Sequence, residues 1–296
     1  MLVRVLLLSA LVFLGCREDL ARRDTSDSPF SMYGVMSPQL EIQSIRVYSV
    51  ESFPTLGSTE PLDADVFSTD LQTGEHVAWR DSVIEESSGQ YAHVFWAEFR
   101  AEYGHEYRIE AVRRSDGEAS VVDVRVPEAV NVTVVDESNP GATVIRIDGK
   151  EIRPLKSEVI YRIANVNPEC RVLVDRFSYE GDEYASGDGW QLDINLSSDR
   201  FDILFDCGGI TIAPLPYCPP YVGLDGIDLH FIVGDTDWNP PNGIFDGHIL
   251  SEPNVMSNVQ NGFGFVGAGY RHAARIELSR QALERACFTS DNDESA

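Results

Sequence analysis

From residue 30 onward, apolar and polar side chains alternate over short runs, which is the period of a strand with one buried face. The runs at 30–35, 42–50, 64–68, 76–79, 91–99, 106–113 and 120–126 carry the β-branched and aromatic residues that suit a pleated surface. Turn signals lie between them at Thr73-Gly74, Ser88-Gly89, Tyr103-Gly104 and Asp116-Gly117. The stretch Arg114-Ser115-Asp116-Gly117 between two such runs predicts a hairpin. Short strands spaced this evenly predict an Ig-like or transthyretin-like β-sandwich over residues 29–127, ending near Pro127.

The pattern continues at 130–135, 143–147, 159–163, 171–177, 190–194, 200–205, 210–212 and 227–233, with turns at Pro140-Gly141 and Asp148-Gly149. It predicts a second, mostly β domain over 128–289, so the expected fold class is mainly β. A single short C-terminal helix is expected over 279–287, where Ser279 can cap and Ala282, Leu283 and Ala286 share a face. The acidic stretch 290–296 has nothing to bury and is expected to be disordered.

The first residues break the alternation. A basic start, Met1 to Arg4, precedes an apolar run from Val5 to Leu14, then Gly15 and Cys16. That run is about half the roughly 20 residues a membrane-spanning helix needs, so 1–15 reads as a signal peptide. Phe13-Leu14-Gly15-Cys16 resembles the lipobox of bacterial lipoproteins, with Cys16 as the acylated mature N-terminus carrying palmitate-like chains. A plain secretory leader is the alternative. Acyl chains, at about 0.8 kcal/mol per buried methylene, would hold the protein at a membrane, and 16–28 would serve as a polar tether. Arg17 stands where some bacteria read an inner-membrane retention aspartate, which points to the outer membrane.

Composition narrows the partners. The formal net charge of −25 argues against nucleic acid, whose phosphates would be repelled. It leaves cationic partners open, and it also fits an acidic surface that only keeps an exported chain soluble. With Cys16 assigned to lipid, Cys170, Cys207, Cys218 and Cys287 remain for disulfides in an oxidising compartment. Cys207 with Cys218 closes a short Gly/Pro-rich loop and is the favoured pair, which leaves Cys170 with Cys287. Their spacing does not suit a zinc site.

One loop has the look of a cation site. Asp235, Asp237 and Asn239 place oxygens at alternate positions, and Asp246 falls where a twelve-residue calcium loop has its last acidic ligand. Pro240 replaces the usual glycine, and Asp246 is shorter than glutamate. The competing reading is an Asx-rich connection whose carboxylates bond their own backbone.

Residues 257–270 alternate glycine with apolar side chains, which predicts a strand closely approached by another backbone rather than a phosphate loop. Trp79, Trp96, Trp190 and Trp238 are either a sugar-stacking platform or core anchors. His76, His93, His105, His230, His248 and His272 are scattered, and the motifs of the common hydrolases are missing. No catalytic residue can be named.

Two segments carry a resemblance. Phe30-Ser31-Met32-Tyr33-Gly34-Val35 followed by Gln43-Ser44-Ile45-Arg46-Val47, together with the later Asn261-Gly262-Phe263-Gly264-Phe265-Val266-Gly267, resembles a family of bacterial outer-membrane lipoproteins carrying a domain of unknown function. Members of that family often accompany TonB-dependent transporters, and the resemblance implies a nutrient-uptake or envelope accessory role. The expected function is therefore a lipid-anchored, non-enzymatic binding or accessory protein of the outer membrane, with a small-molecule or glycan ligand unspecified. The alternatives are an exported glycan-active enzyme using acidic residues near Trp190 or Trp238, and a purely structural envelope protein.

Overall fold

The computed structural model describes residues 28–50, 59–85, 87, 89, 91–139, 141–149, 151–165, 174–206, 222–238 and 257–290. The expected leader, Cys16, the expected strand at 210–212 and residues 291–296 of the expected tail lie outside them, while Ser290, expected to begin that tail, ends a strand and pairs with Leu224. The described residues are mainly β, with seventeen strands and two helices.

One large sheet runs through the molecule. Its first half contains β1 (Phe30–Met36), β2 (Ile42–Ser49), β6 (Tyr91–Glu98) and β5 (Arg80–Glu85). Its second half contains β12 (Val174–Ser178), β11 (Arg153–Asn165) and β15 (Val222–Gly234), with β17 (Phe288–Ser290) alongside β15. The strand β16 (Gly262–Ile276) joins the halves. Its residues 262–268 pair in parallel with β1, and its residues 269–276 pair antiparallel with β15.

Each half is covered on one face by a four-stranded sheet. Against the first lies the sheet of β4 (His76–Ala78), β3 (Ala64–Asp70), β7 (Glu106–Arg113) and β8 (Ala119–Arg125). Against the second lies that of β13 (Tyr184–Ser186), β14 (Gly189–Ile194), β10 (Thr143–Asp148) and β9 (Asn131–Asp136). Alternation in β1, β2, β3 and β7 sends Met32, Ile45, Val47, Val66 and Ile109 into the first core. The second core holds Ile145, Val159, Tyr161, Leu192, Leu229 and Phe231.

Val259, Val266 and Ala268 belong to the first core, although the local pattern places 128–289 in a second unit. A parallel strand pair needs a long connection, and no periodicity in a short window reveals its partner. The close backbone approach expected for 257–270 is present. At Gly264, φ is 99° and a Cβ would run into the carbonyl oxygen of its partner Met32, so only glycine fits there.

One expected strand is a helix. Residues 200–205 lie within the helix Leu196–Asp206. Asn195 caps it, its side-chain oxygen accepting the Ser198 N–H at 3.0 Å. Leu196, Ile203 and Leu204 are buried in the second core while Phe201 and Phe205 stay exposed, a helical spacing that a six-residue apolar run cannot distinguish from a strand. The C-terminal helix is as expected, spanning Arg280–Arg285 with the Ser279 hydroxyl accepting the Ala282 N–H at 3.1 Å. The strand β5 has no counterpart in the alternation, because an edge strand tolerates the polar surface of Arg80-Asp81-Ser82.

Candidate binding face

Because side chains alternate across a strand, residues between the core positions of the large sheet point to its other face. No second sheet covers that face among the described residues. In the first half aromatic and aliphatic side chains share the outward positions with Arg46 and Arg80. Tyr33 on β1 lies between the core residues Met32 and Gly34's partner Ile45 on one side and solvent on the other, and its ring meets Tyr48 edge-on at 6.3 Å. Burial and the nearby Tyr48 raise the Tyr33 phenol above its usual pKa. Phe265 is paired in register with Tyr33, and Trp238 meets Phe265 edge-on at 5.4 Å. Trp96 on β6 is fixed by its indole N–H, donated to the Ser82 hydroxyl at 2.9 Å, and by the Arg80 guanidinium 5.0 Å above its ring. Val35 and Ile42 are exposed on the same face.

The residues of the resemblance explain this geometry. Gln43 is buried and closes the β1–β2 turn. Its amide donates to the carbonyls of Ser37 at 3.0 Å and Leu40 at 2.9 Å, and its oxygen accepts the Ser37 N–H at 2.9 Å. Gly34 admits the Ile45 side chain that a Cβ would displace. The turn and the glycine therefore set the register that turns Tyr33, Arg46 and Tyr48 outward and Val47 inward.

The four tryptophans do not form one platform. Trp79 is in the first core, where its indole donates to Ser68 at 2.9 Å. Trp96 and Trp238 belong to the outer face. Trp190 packs against the second core, donates to the Ile152 carbonyl at 2.9 Å and lines a cleft of about 240 Å³ with Arg153, Asp188 and Thr236. Asp188 is the one carboxylate in that wall among the described residues.

Of the expected cation ligands, Asp235 and Asp237 are described, and Asn239 and Asp246 lie outside the described residues. Asp235 is buried at the end of β15. One of its oxygens accepts the Ala268 N–H at 2.6 Å and the other the Asp237 N–H at 2.9 Å, the turn geometry of a carboxylate bonding its own backbone. Burial pushes its carboxyl up to about 7 against the pull of the Ala268 amide, and the Asp237 charge adds to the rise. Asn258 sits beside it, donating to the Val266 carbonyl at 2.8 Å and accepting the Val266 N–H at 3.0 Å. These two side chains thus occupy the side of the first half of β16 that faces away from β1, where no strand pairs with it among the described residues. No cluster of three His, Cys, Asp or Glu suited to a metal occurs among the described residues.

The histidines serve locally. His93 lies 3.0 Å from Asp81 and His105 lies 2.8 Å from Asp70, each pairing across neighbouring segments. Cys287 is buried, while Cys170, Cys207 and Cys218 lie outside the described residues. A second buried carboxylate, Asp199, accepts the Tyr161 and Tyr179 hydroxyls at 2.6 and 2.7 Å inside the second core. Burial raises its pKa despite these bonds.

No protein-family model matches the chain, and no curated protein does. Among solved structures, the pullulanase of Anoxybacillus sp. LM18-11 is similar both alone and complexed with maltotriose. Each has 11% identity and a TM-score of 0.23, over 56% of this chain and 22% of the other. The chain thus spans about a fifth of the length of those structures, and likeness at this level carries no argument about fold or chemistry.

Proposed function

We propose that this chain is a lipid-anchored outer-membrane protein with a non-enzymatic binding or accessory role, working beside a TonB-dependent transporter in nutrient uptake. The observation that supports this reading best is the aromatic outer face of the large sheet. Tyr33, Tyr48, Trp96, Phe265 and Trp238 are each held from below or beside and half-exposed above. Rigid aromatic side chains lose little conformational freedom on contact, which is why they dominate recognition surfaces. Acylation of Cys16 would hold that face at the membrane through the tether at 16–28.

Two measurements test the two parts. Mass spectrometry of the mature N-terminus is expected to find an acylated Cys16, and an unmodified start elsewhere would remove the anchor. Co-purification with a transporter encoded beside this gene is expected for the native chain and lost in a Tyr48→Asp, Trp96→Asp double variant that keeps its melting temperature. Equal recovery with both proteins would remove the role assigned to the face.

A further inference from the structure

The second half of the same outer face has the opposite chemistry. Arg176 on β12, Arg162 on β11, and Arg271 and Arg275 on β16 all project from it, since their neighbours Tyr161, Leu229 and Ile276 fill the second core. In a chain of net charge −25 this is a local reversal of sign. Asp228 on β15 lies between two of the arginines with only 10% of its side chain exposed. It accepts from Arg162 Nε at 2.6 Å and from Arg275 Nε at 3.0 Å. Both of its oxygens are thereby used, and two guanidinium groups are fixed by one carboxylate.

The backbone makes room for the pair. Gly226, in register with Arg162, has no Cβ, and a Cβ there would occupy the place of the Arg275 guanidinium. Arg275 also donates to the Asp225 carbonyl at 3.0 Å. Each guanidinium is thus oriented through its Nε edge while about half of each side chain stays exposed, 51% for Arg162 and 43% for Arg275. Glu158 faces Arg176 at 3.8 Å, and Asp225 and His230 are the other titratable residues of β15.

We infer that Arg162 and Arg275 form a site for a phosphate-type oxyanion. Two forked donors, held in place in advance, match the several oxygens of such a group. The overall negative charge does not prevent this, because at physiological salt charges beyond about 8 Å are largely screened and the local pair dominates. The site is separate from the aromatic half, so it stands or falls apart from the proposed role of that half.

Calorimetric titration of the full chain with inorganic phosphate is the direct test, beside vesicle sedimentation with phosphatidylglycerol and with phosphatidylcholine. Binding of phosphate is expected, weakened about tenfold or more in Arg162→Gln and in Arg275→Gln, the loss typical of a charge-assisted contact. Arg80→Gln, on the aromatic half, is expected to bind like the native chain. Gly226→Ala keeps every charge and is expected to weaken binding by displacing the Arg275 guanidinium. Preference for phosphatidylglycerol vesicles that is lost in the same variants would assign the group to a lipid headgroup, whereas binding of phosphate without vesicles would assign it to a soluble ester. Absence of phosphate binding at millimolar concentration, or unchanged binding in Gly226→Ala and Arg275→Gln with circular dichroism intact, would overturn the site.

Discussion

The two halves of the large sheet share a strand and a construction, yet their outer faces differ completely. Both send aliphatic and aromatic residues inward to a four-stranded cover. Outward, the first half presents Tyr33, Tyr48, Trp96 and Phe265, and the second presents Arg162, Arg176, Arg271 and Arg275. The inward pattern is dictated by burial, which any folded sandwich must satisfy. The outward composition is not, so the contrast between the faces is not set by the need to fold. A difference inside the cores runs in parallel. Each half buries a carboxylate and holds it differently: Asp70 accepts the Gln72 and Thr73 amides and pairs with His105, whereas Asp199 lies beneath two tyrosines.

The sharpest way to break the comparison is at the shared strand. Gly264→Val would force a side chain into the Met32 carbonyl and into a left-handed backbone position, and a loss of about 4 kcal/mol is expected. If the halves are one cooperative unit, urea unfolding followed by tryptophan fluorescence and by circular dichroism will shift as a single transition. Two separated transitions would show that the second sandwich stands without the first.

A smaller effect is expected within the second core. Tyr161→Phe removes one of two hydroxyl donors to a buried carboxylate, with an expected loss of about 1–3 kcal/mol in chemical denaturation. Combining it with Tyr179→Phe should give a non-additive change, because both donate to the same oxygen. Additive losses would mean that Asp199 finds other partners.

The pH dependence can also be signed. Asp235 has its folded pKa raised from 3.8 to about 7, so its folded form holds a proton that the unfolded chain releases. Its contribution is complete below about pH 3.8 and is lost as pH rises through about 7. Asp199, also raised, acts with the same sign. Melting temperature should therefore fall across that window, and Asp235→Asn should flatten the fall. An unaltered slope in that variant would assign it to other groups. The smallest effect concerns calcium. With both Asp235 oxygens already accepting amides, millimolar calcium is expected to leave the melting temperature where a chelator leaves it. A rise of several degrees would instead credit the loop through Asp237, Asn239 and Asp246 with a cation.

Much of this architecture was legible residue by residue. The strands β1, β2, β7 and β10 follow directly from alternation, and the Ser279 cap announces the last helix. The helix Leu196–Asp206 was not legible as such, since its cap residue Asn195 follows a strand without a break. The partner of β1 was hidden for a different reason: parallel pairing leaves no turn between the strands to read. The binding face was visible only in fragments. Trp96 and Trp238 stand out in the sequence, but nothing local separates them from the buried Trp79. Arg162, Asp228 and Arg275 are far apart along the chain, and only the register of three strands makes them neighbours. Asp235 carried a signal of oxygen chemistry that the structure directs to backbone amides.

The lateral seat of β1 beside β16 also orders events in time. A polypeptide emerging from a ribosome or threading a translocation pore delivers Phe30 early and Gly262 late, so the amino-terminal sandwich lacks a wall until nearly everything else has arrived. Premature closure of the amino-terminal sandwich during synthesis is thereby discouraged.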